Sequence, residues 1–382
     1  MSSSERFFDP VIDQHDTWLA VNPVQGCPKD CAYCYLKDQG QTLVRPQQVA
    51  TPDETLALLL DSPYYHPAAV LALYTCTDAL ATPRNRAHLI ALLDCLGASA
   101  ARNPVCLITK CAVTADVLDC ITRNQAAGLP IIVYLSYSGL GPDVEHGIDH
   151  EALRRNFPLL HDAGVPIIHY WRPALPQNSS PATITYVLDW VTRYARCSVA
   201  AGLKVKPHAR DQMAPLWPKL RDPELNVEAA ASIWPRSIWE SLHTIPDRYG
   251  DYPIYHTNTC ALSYVLGTAD RANVLSSPTC QNINRCPAEQ RDRCIAALPL
   301  RAVPTAADIA AHLVRLGYSD IPHTWDPATR TLTIHAAMQL RDRHNMAQVH
   351  GITVQASREP TDRYWSGNLA GGEPLILDAD TL

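Results

Sequence analysis

Three closely spaced cysteines are the residues of this 382-residue chain whose types and spacing best suit chemistry. Cys27, Cys31 and Cys34 have the spacing C-x3-C-x2-C. Soft thiolates on so short a loop can each bind one iron of a [4Fe–4S] cluster. A closed site requires a fourth ligand, and the next cysteine in the chain is Cys76. The spacing therefore predicts a cluster with one iron open to a further ligand.

Two other interpretations of this loop remain open, a structural zinc site and a set of buried thiols. Zinc-binding cysteines usually form a C-x2-4-C pair with a second pair elsewhere in the sequence. The three cysteines here form one run without a matching second pair. The iron–sulfur interpretation is therefore favoured.

A second group of cysteines lies in the C-terminal half of the chain. Its members are separated by 19, 5 and 7 residues and are Cys260, Cys280, Cys286 and Cys294. Four thiolates within one stretch can complete a closed four-cysteine site. The group predicts an auxiliary [4Fe–4S] cluster, with a structural zinc or scattered buried thiols as the alternatives.

The elements that must position the first cysteines alternate regularly along the chain. Six short apolar stretches are predicted to be strands, at residues 16–21, 70–75, 104–109, 131–137, 165–171 and 198–205. The segments between them have apolar residues at helical spacing. This alternation predicts an α/β fold of right-handed βαβ units around a parallel sheet. Because the strands are apolar throughout, both faces of the sheet should be buried.

Changes in composition divide the chain into three regions. Residues 1–210 hold the strand–helix units. Residues 211–300 are predicted to be helical and cysteine-rich, with a helix over 224–243 interrupted at Trp234 and Pro235. Residues 301–382 are predicted to form a small α+β region.

Polar residues follow the predicted strands, where the carboxyl ends of parallel strands form a ligand-binding edge. They are Cys76, Thr77, Asp78, Lys110, Ser136, Ser138 and Arg172. Taken singly, a Thr or Ser at such a place can also cap the following helix. As a set, they predict a binding face.

The motifs together resemble the spore photoproduct lyase-like (DNA photolyase-like) branch of the radical S-adenosylmethionine (SAM) superfamily. The resemblance covers about residues 17–205. It rests on G-C-x3-C-x-Y-C-Y-L at 26–36, T-D at 77–78, T-K at 109–110, S-x-S at 136–138 and R-P-x2-P-x-N at 172–178. It implies a partial (βα)6 barrel.

The resemblance also implies an activity and a SAM site. In that family the open iron is chelated by the amino and carboxylate groups of SAM, and an electron from the cluster splits SAM into methionine and a 5′-deoxyadenosyl radical. By analogy, Tyr33 would lie beside the adenine. Lys110 and Arg172 would hold the carboxylate or the methionine end of SAM. Ser136 and Ser138 would face the ribose, and Thr77 and Asp78 would face the methionine amine. Such pairings are chemically compatible, and Cys76 is a candidate hydrogen-atom donor.

One departure from the family limits what can be carried over. Spore photoproduct lyase relies on one cysteine hydrogen donor and has no second cluster, whereas this chain has four C-terminal cysteines. With a net charge of −6, the chain favours a small-molecule or peptide substrate over nucleic acid. The alternatives are a nucleic-acid repair or modification enzyme and a non-catalytic iron–sulfur or zinc protein.

The remaining expectations concern partners and location. A radical SAM enzyme needs a reducing electron donor such as flavodoxin or ferredoxin. Thirteen cysteines, no visible signal peptide and no long apolar run predict a cytoplasmic protein without a membrane span.

Overall fold

A computed structural model describes residues 9–205, 209–227, 230, 232–244, 246–270, 286–358 and 374–378. Its main feature is one eight-stranded sheet. In chain order the strands are β1 (Ile12–Gln14), β2 (Leu19–Val21), β3 (Leu71–Leu73), β4 (Val105–Thr109), β5 (Ile131–Leu135), β6 (Ile167–Ala174), β7 (Cys197–Gly202) and β8 (Ile254–Tyr255).

The strands follow one another across the sheet in chain order. From β2 to β8 every neighbouring pair is parallel, and β1 pairs with β2 in the antiparallel sense. The predicted α/β fold with a parallel sheet is therefore confirmed. Among the described residues the sheet is open, because β1 and β8 are its two edges.

Helices connect the successive parallel strands. They are α1 (Pro52–Asp61), α2 (Pro83–Ala98), α3 (Ala115–Ala126), α4 (His150–Asp162) and α5 (Pro181–Val191). Helix α1 begins with a pair of reciprocal hydrogen bonds, since the Thr51 hydroxyl accepts from the Glu54 amide and the Glu54 carboxylate accepts from the Thr51 amide.

The two faces of the sheet bury different residues. On one face, strand residues such as Leu73 and Val133 pack with helix residues such as Leu92 and Phe157. On the other face, strand residues including Tyr134 form a second buried cluster with residues of the helix Asn258–Leu266. Both faces are thus covered, as expected for strands that are apolar throughout.

Two parts of the sheet have no counterpart in the six predicted strands. Strand β1 forms a hairpin with β2, and β8 pairs with β7 through Ser198 and Val199. Strand β8 is only two residues long. Neither segment contains an apolar run long enough to predict a strand.

The prediction of a helix over 224–243 was only partly right. The helix begins at Arg236, and the residues just before it form a strand, Ile233–Pro235, that pairs with Leu375–Leu377. The backbone of Ile233 also exchanges hydrogen bonds with Leu203. These pairing partners are distant in sequence, so local helical propensity could not reveal the strand.

The remaining elements lie outside the main sheet. The remaining strands are Val24–Gln25, Asp30–Cys31, Gln47–Gln48, Glu145–His146, His323–Asp326, Thr331–Met338 and Thr353–Arg358. The remaining helices are Tyr35–Gln39, Pro176–Asn178, Arg210–Met213, Pro218–Arg221, Pro246–Tyr249, Ala288–Ala297, Ala306–Arg315 and Leu340–His350, together with the Asn258–Leu266 and Arg236–Thr244 helices named above. No helix within the described ranges is long and apolar enough to cross a membrane.

Candidate active site

The loop that contains the first three cysteines is fastened to the main sheet at its start. Gly26 adopts a positive φ of 90°, and a Cβ at this position would come within 3.0 Å of the Val44 side chain. Its amide donates to the Cys76 carbonyl at 3.1 Å, and its carbonyl accepts from the Thr77 hydroxyl at 2.6 Å. Thr77 thus holds the cysteine loop against the carboxyl end of β3.

The middle of the same loop is held by two further backbone pairings. The Cys27 amide donates to the Gln41 carbonyl at 2.7 Å. Cys31 pairs with Glu145 in a short antiparallel ladder, and the Ala32 amide donates to the Val144 carbonyl at 2.8 Å. The backbone around the three cysteines is therefore fixed by segments that are distant in sequence.

The three thiols lie within electrostatic range of one another and of cations that include Lys110 and Arg172. Burial raises the pKa of Cys27 and of Cys31 to about 12 and also raises that of Cys34. The ammonium group of Lys110 opposes this rise at Cys31, and the guanidinium group of Arg172 opposes it at Cys34. These thiols would be protonated at neutral pH, so a metal that binds them must displace protons.

Asp78 is the residue that joins the ends of β3 and β4. Its carboxylate accepts from the Thr109 hydroxyl at 2.9 Å, from the Lys110 amide at 2.7 Å and from the Leu80 amide at 2.9 Å. Just before this turn, Tyr74 adopts a positive φ of 60°, which is uncommon for a bulky residue. The turn therefore brings Thr77 and Asp78 to the edge where the cysteine loop lies.

Glu145 is a central residue of the site that sequence analysis missed. Its side chain has no exposed surface. One carboxylate oxygen, Oε1, accepts from the Tyr33 hydroxyl, from Lys110 Nζ at 2.8 Å and from Ser138 Oγ at 2.8 Å. Three of the residues predicted from sequence thus meet at one carboxylate. Glu145 begins a strand of only two residues, and its partners come from separate segments, so no spacing in the sequence marks it.

The two serines after β5 have different contacts. The Ser138 hydroxyl, besides donating to Glu145, accepts from the Leu140 amide at 3.3 Å. Ser136 contributes its carbonyl, which accepts from Lys110 Nζ at 2.8 Å. The structure therefore places both serines around Lys110 and Glu145.

Arg172 lies near the end of β6. Lys110 follows β4, and β5 lies between these two strands in the sheet. The guanidinium group of Arg172 donates to the Tyr170 hydroxyl at 2.9 Å and lies over the Tyr170 ring. The Asn178 amide that ends the R-P-x2-P-x-N motif donates to the Ser138 carbonyl at 2.7 Å and to the Pro173 carbonyl at 3.0 Å. The motif's asparagine thus ties the Arg172 turn to the neighbouring strand end.

Cys76 is buried beside the cysteine loop. Its thiol donates to Asp9 Oδ2 at 3.2 Å, and burial raises its pKa well above the ordinary value. The hydroxyl of Tyr35 donates to the neighbouring Thr75 carbonyl at 2.5 Å. Cys76 therefore lies near the first cysteine group, at the end of β3.

Three of the four C-terminal cysteines come together in a second place. Cys260 and Cys294 are buried, and both contact the buried Asp270: the Cys260 thiol lies 3.4 Å from Asp270 Oδ2, and the Asp270 amide donates to Cys294 Sγ at 3.3 Å. Cys286 lies 3.6 Å from the Tyr255 hydroxyl. Cys280 lies outside the described residues.

No three His, Cys, Asp or Glu side chains converge on a position for one metal ion within the part of the chain that the structure describes. A four-iron cluster offers a separate iron to each of its ligands. Its thiolates therefore need not converge on one point. The short loop, its buried or partly buried thiols and the nearby cations fit such a cluster at Cys27, Cys31 and Cys34.

Searches with family models and among curated proteins find no match to the chain. Among solved structures it is similar to a spore photoproduct lyase mutant with bound AdoMet and dinucleoside spore photoproduct, at 13% identity over 59% of this chain and 68% of that one, with a TM-score of 0.45. It is also similar to native anSMEcpe with bound AdoMet, at 12% identity over 66% and 68% of the two chains, with a TM-score of 0.41.

A third similar structure is the radical S-adenosylmethionine methyltransferase TsrM from Kitasatospora setae, with cobalamin and a [4Fe-4S] cluster bound. It matches at 12% identity over 51% of this chain and 37% of that one, with a TM-score of 0.37. At such TM-scores, a functional assignment has to rest on the residues of the chain itself.

Proposed function

We propose that this protein is a radical SAM enzyme whose first cluster is held by Cys27, Cys31 and Cys34. The observation that carries the proposal is the arrangement of this loop. Three thiols lie within electrostatic range of one another, on a backbone fastened to the strand ends, beside the cations Lys110 and Arg172. When bound, the cluster and SAM supply reductive cleavage of SAM to a 5′-deoxyadenosyl radical that abstracts hydrogen from a substrate.

The two cations are suited to bind the methionine carboxylate of SAM. A guanidinium group can donate two parallel hydrogen bonds to one carboxylate, and it is always charged. The ammonium group of Lys110 has three N–H donors. Two of them donate to the Ser136 carbonyl and to the Glu145 carboxylate. The third donor can therefore bind a carboxylate without breaking these contacts.

The remaining predicted residues divide into two roles. Asp78 has a carboxylate that can pair with the SAM amine, while its hydrogen bonds to Thr109 and Lys110 hold it in place. Thr77 and Ser138 already donate their hydroxyls to Gly26 and Glu145, so they act by positioning the cysteine loop and Glu145. The Tyr33 hydroxyl donates a hydrogen bond to Glu145. This bond orients the tyrosine ring beside the third cysteine, where it can contact adenine.

The substrate that we propose is a small molecule or a peptide, because the chain carries a net charge of −6 and such a balance disfavours a polyanion. The electron needed for SAM cleavage would come from a reducing partner such as flavodoxin or ferredoxin.

We further propose that the C-terminal cysteines bind a second [4Fe–4S] cluster. It is supported by the contacts that bring Cys260, Cys286 and Cys294 close to Asp270 and Tyr255.

The test is anaerobic reconstitution followed by mass spectrometry for 5′-deoxyadenosine. The parent protein, reduced and supplied with SAM, should form it, and Cys31→Ala should not. Cys95→Ala is the matched control, since this cysteine lies on α2 away from the site and donates to Asp53. Normal 5′-deoxyadenosine formation by Cys31→Ala would refute the proposal. Assays with peptides, small molecules and a dinucleoside separate the substrate classes.

A further inference from the structure

An open cavity lies in the C-terminal region of the chain, lined by residues 302–304 and by the helices Ala306–Arg315 and Leu340–His350. Its volume is about 550 Å³, which is within the range of pockets that hold small ligands. Its lining residues belong neither to the proposed SAM site nor to the two cysteine groups. The proposed function therefore leaves this C-terminal cavity without a role.

The hydrogen bonds of His312, in the cavity wall, fix which of its ring nitrogens carries a proton. His312 is 4% exposed, and its Nε2 atom lies 2.8 Å from Asn345 Oδ1. The Asn345 amide nitrogen is used elsewhere, since it donates to the Tyr64 carbonyl at 3.0 Å. Because Asn345 thus presents its oxygen, His312 Nε2 must carry the proton and donate it. In the neutral ring, Nδ1 then accepts from Nε2 of His350 at 2.8 Å.

This arrangement leaves the guanidinium group of Arg315 facing a donor. Its Nη2 atom lies 2.8 Å from His312 Nε2, which cannot accept because its proton is donated to Asn345. Within the described ranges, Arg315 forms no ion pair and no other hydrogen bond. A guanidinium group has five N–H donors and stays charged at neutral pH. These donors are therefore available to an acceptor from outside this part of the chain.

The second charged residue of the cavity, Asp308, limits what such an acceptor can be attached to. Asp308 lies seven residues before Arg315 on the same helix, which is about 10 Å along the helix axis. Its Oδ2 atom accepts from the amide and the hydroxyl of Thr305, both at 2.8 Å. A ligand with a second anionic group near this end would be repelled. The cavity therefore suits a single anionic group, placed at Arg315.

The rest of the cavity wall is apolar. It consists of Ala302, Val303 and Pro304 on one side and of Ala311 and Val349 on the two helices. Apolar walls with a few polar groups are typical of sites that bind small organic molecules. The walls can cover the apolar part of a ligand while Arg315 binds its charged end.

We propose that the C-terminal cavity binds a small organic molecule with one oxyanion group, either a carboxylate or a phosphate monoester. The oxyanion accepts hydrogen bonds from Arg315, and a guanidinium group can donate two parallel bonds to either kind of group. The apolar part of the ligand contacts the walls formed by residues 302–304 and by Ala311 and Val349. This site does not depend on the proposed SAM chemistry.

The test is isothermal titration calorimetry of the full-length reconstituted protein at low salt, with butanoate and with butyl phosphate. At least one probe should bind saturably at a single site, and the tighter one identifies the preferred oxyanion. Arg315→Gln should weaken its binding roughly tenfold or more, because a charged hydrogen bond is lost. Ala311→Phe, which narrows the cavity but keeps the arginine, should also weaken it. Arg123→Gln is the matched control, since this arginine also lies in the last turn of a helix.

Four results would overturn the inference. The first is no saturable binding of either probe by the parent, and the second is parental affinity in Arg315→Gln. The third is parental affinity in Ala311→Phe, which would mean an adventitious ion only, bound outside the cavity. The fourth is binding of pentanedioate, a dicarboxylate, as tightly as butanoate. All variants should keep parental SAM cleavage and circular dichroism, so failure of this inference is distinguishable from failure of the proposed function.

Discussion

Glu145 shows how one buried charge organises the candidate site. Its Oε1 atom accepts from Tyr33, Lys110 and Ser138, and its backbone pairs with Cys31. In a buried ion pair each charge compensates the other. Removing one partner leaves a buried charge without compensation, which destabilises the folded protein. Glu145 thus links the cysteine loop to the residues proposed to bind SAM.

The first prediction concerns this ion pair. Glu145→Ala should lower the free energy of unfolding by about 3 kcal/mol or more, because Lys110 is left without its partner in a largely buried position. Adding Lys110→Met should recover much of that loss. Anaerobic urea unfolding measures both effects, with Glu151→Ala as a control whose exposed ion pairs should contribute little. Equal stabilities of Glu145→Ala and the parent would contradict the role assigned to Glu145.

The second prediction concerns SAM affinity. Arg172→Ala or Lys110→Ala should weaken SAM binding by about one to two decades, since a charged hydrogen bond contributes roughly 1.5–3 kcal/mol. The visible absorbance of the cluster should remain. Arg123→Ala removes an arginine that is 58% exposed and pairs with Asp94 at the surface, and it should bind SAM normally. If both site variants bind SAM as tightly as the parent, the proposed carboxylate contacts are wrong.

At the scale of elements, the parallel strands hold the site because polar residues tie neighbouring strands together. His169 on β6 is fully buried. Its Nδ1 lies 2.8 Å from the hydroxyl of Ser198 on β7, and its Nε2 lies 2.8 Å from the Tyr137 carbonyl after β5. The imidazole thus bridges three consecutive strands just below Arg172.

The third prediction follows from the pKa of His169, which burial lowers from 6.5 to about 4. Between these values the unfolded chain binds a proton that the folded protein does not, so stability is full above about pH 6.5 and falls as the pH drops toward 4. The contribution lost at pH 5 is about 2 kcal/mol. Urea unfolding at pH 7.5 and 5 should therefore show a smaller loss of stability for His169→Gln than for the parent. The same loss in both proteins would contradict this role.

The elements that could be predicted from sequence are those with local signals. The six apolar strands and the first cysteine loop carried such signals, because buried parallel strands are continuous apolar runs and the ligand spacing is short. Strands β8 and Ile233–Pro235 have two and three residues, and only distant partners define them. The same reason explains why Glu145 was missed: its contacts with Tyr33 and Lys110 come from residues that are remote in sequence.

At the scale of the whole molecule, the helix Leu340–His350 attaches the C-terminal elements to the main sheet beside β1. Asn345 is 1% exposed. Its amide nitrogen donates to Gln14 Oε1 at 2.9 Å and to the Tyr64 carbonyl at 3.0 Å, and its oxygen accepts from His312 at 2.8 Å. One side chain therefore connects this helix to both the β1 hairpin and the segment after α1.

The fourth prediction tests this attachment. Asn345→Leu should lower the free energy of unfolding by about 3 kcal/mol, because buried polar groups of its partners are left unsatisfied at about 1–3 kcal/mol each. Urea unfolding measures the change. Gln355→Leu makes a similar replacement at an exposed strand position and should have little effect. Similar effects of the two substitutions would contradict the role of Asn345.

The central claim is that the cluster at Cys27, Cys31 and Cys34 has an open iron that binds SAM. The most direct measurement is the electron paramagnetic resonance (EPR) spectrum of the reduced protein with and without SAM, recorded on a Cys260→Ala/Cys294→Ala variant so that only the first cluster contributes. We expect a reduced [4Fe–4S] signal whose g values shift on addition of SAM, with hyperfine coupling to nitrogen-15 in the labelled SAM amine. A reduced cluster whose spectrum is unchanged by saturating SAM would contradict the claim.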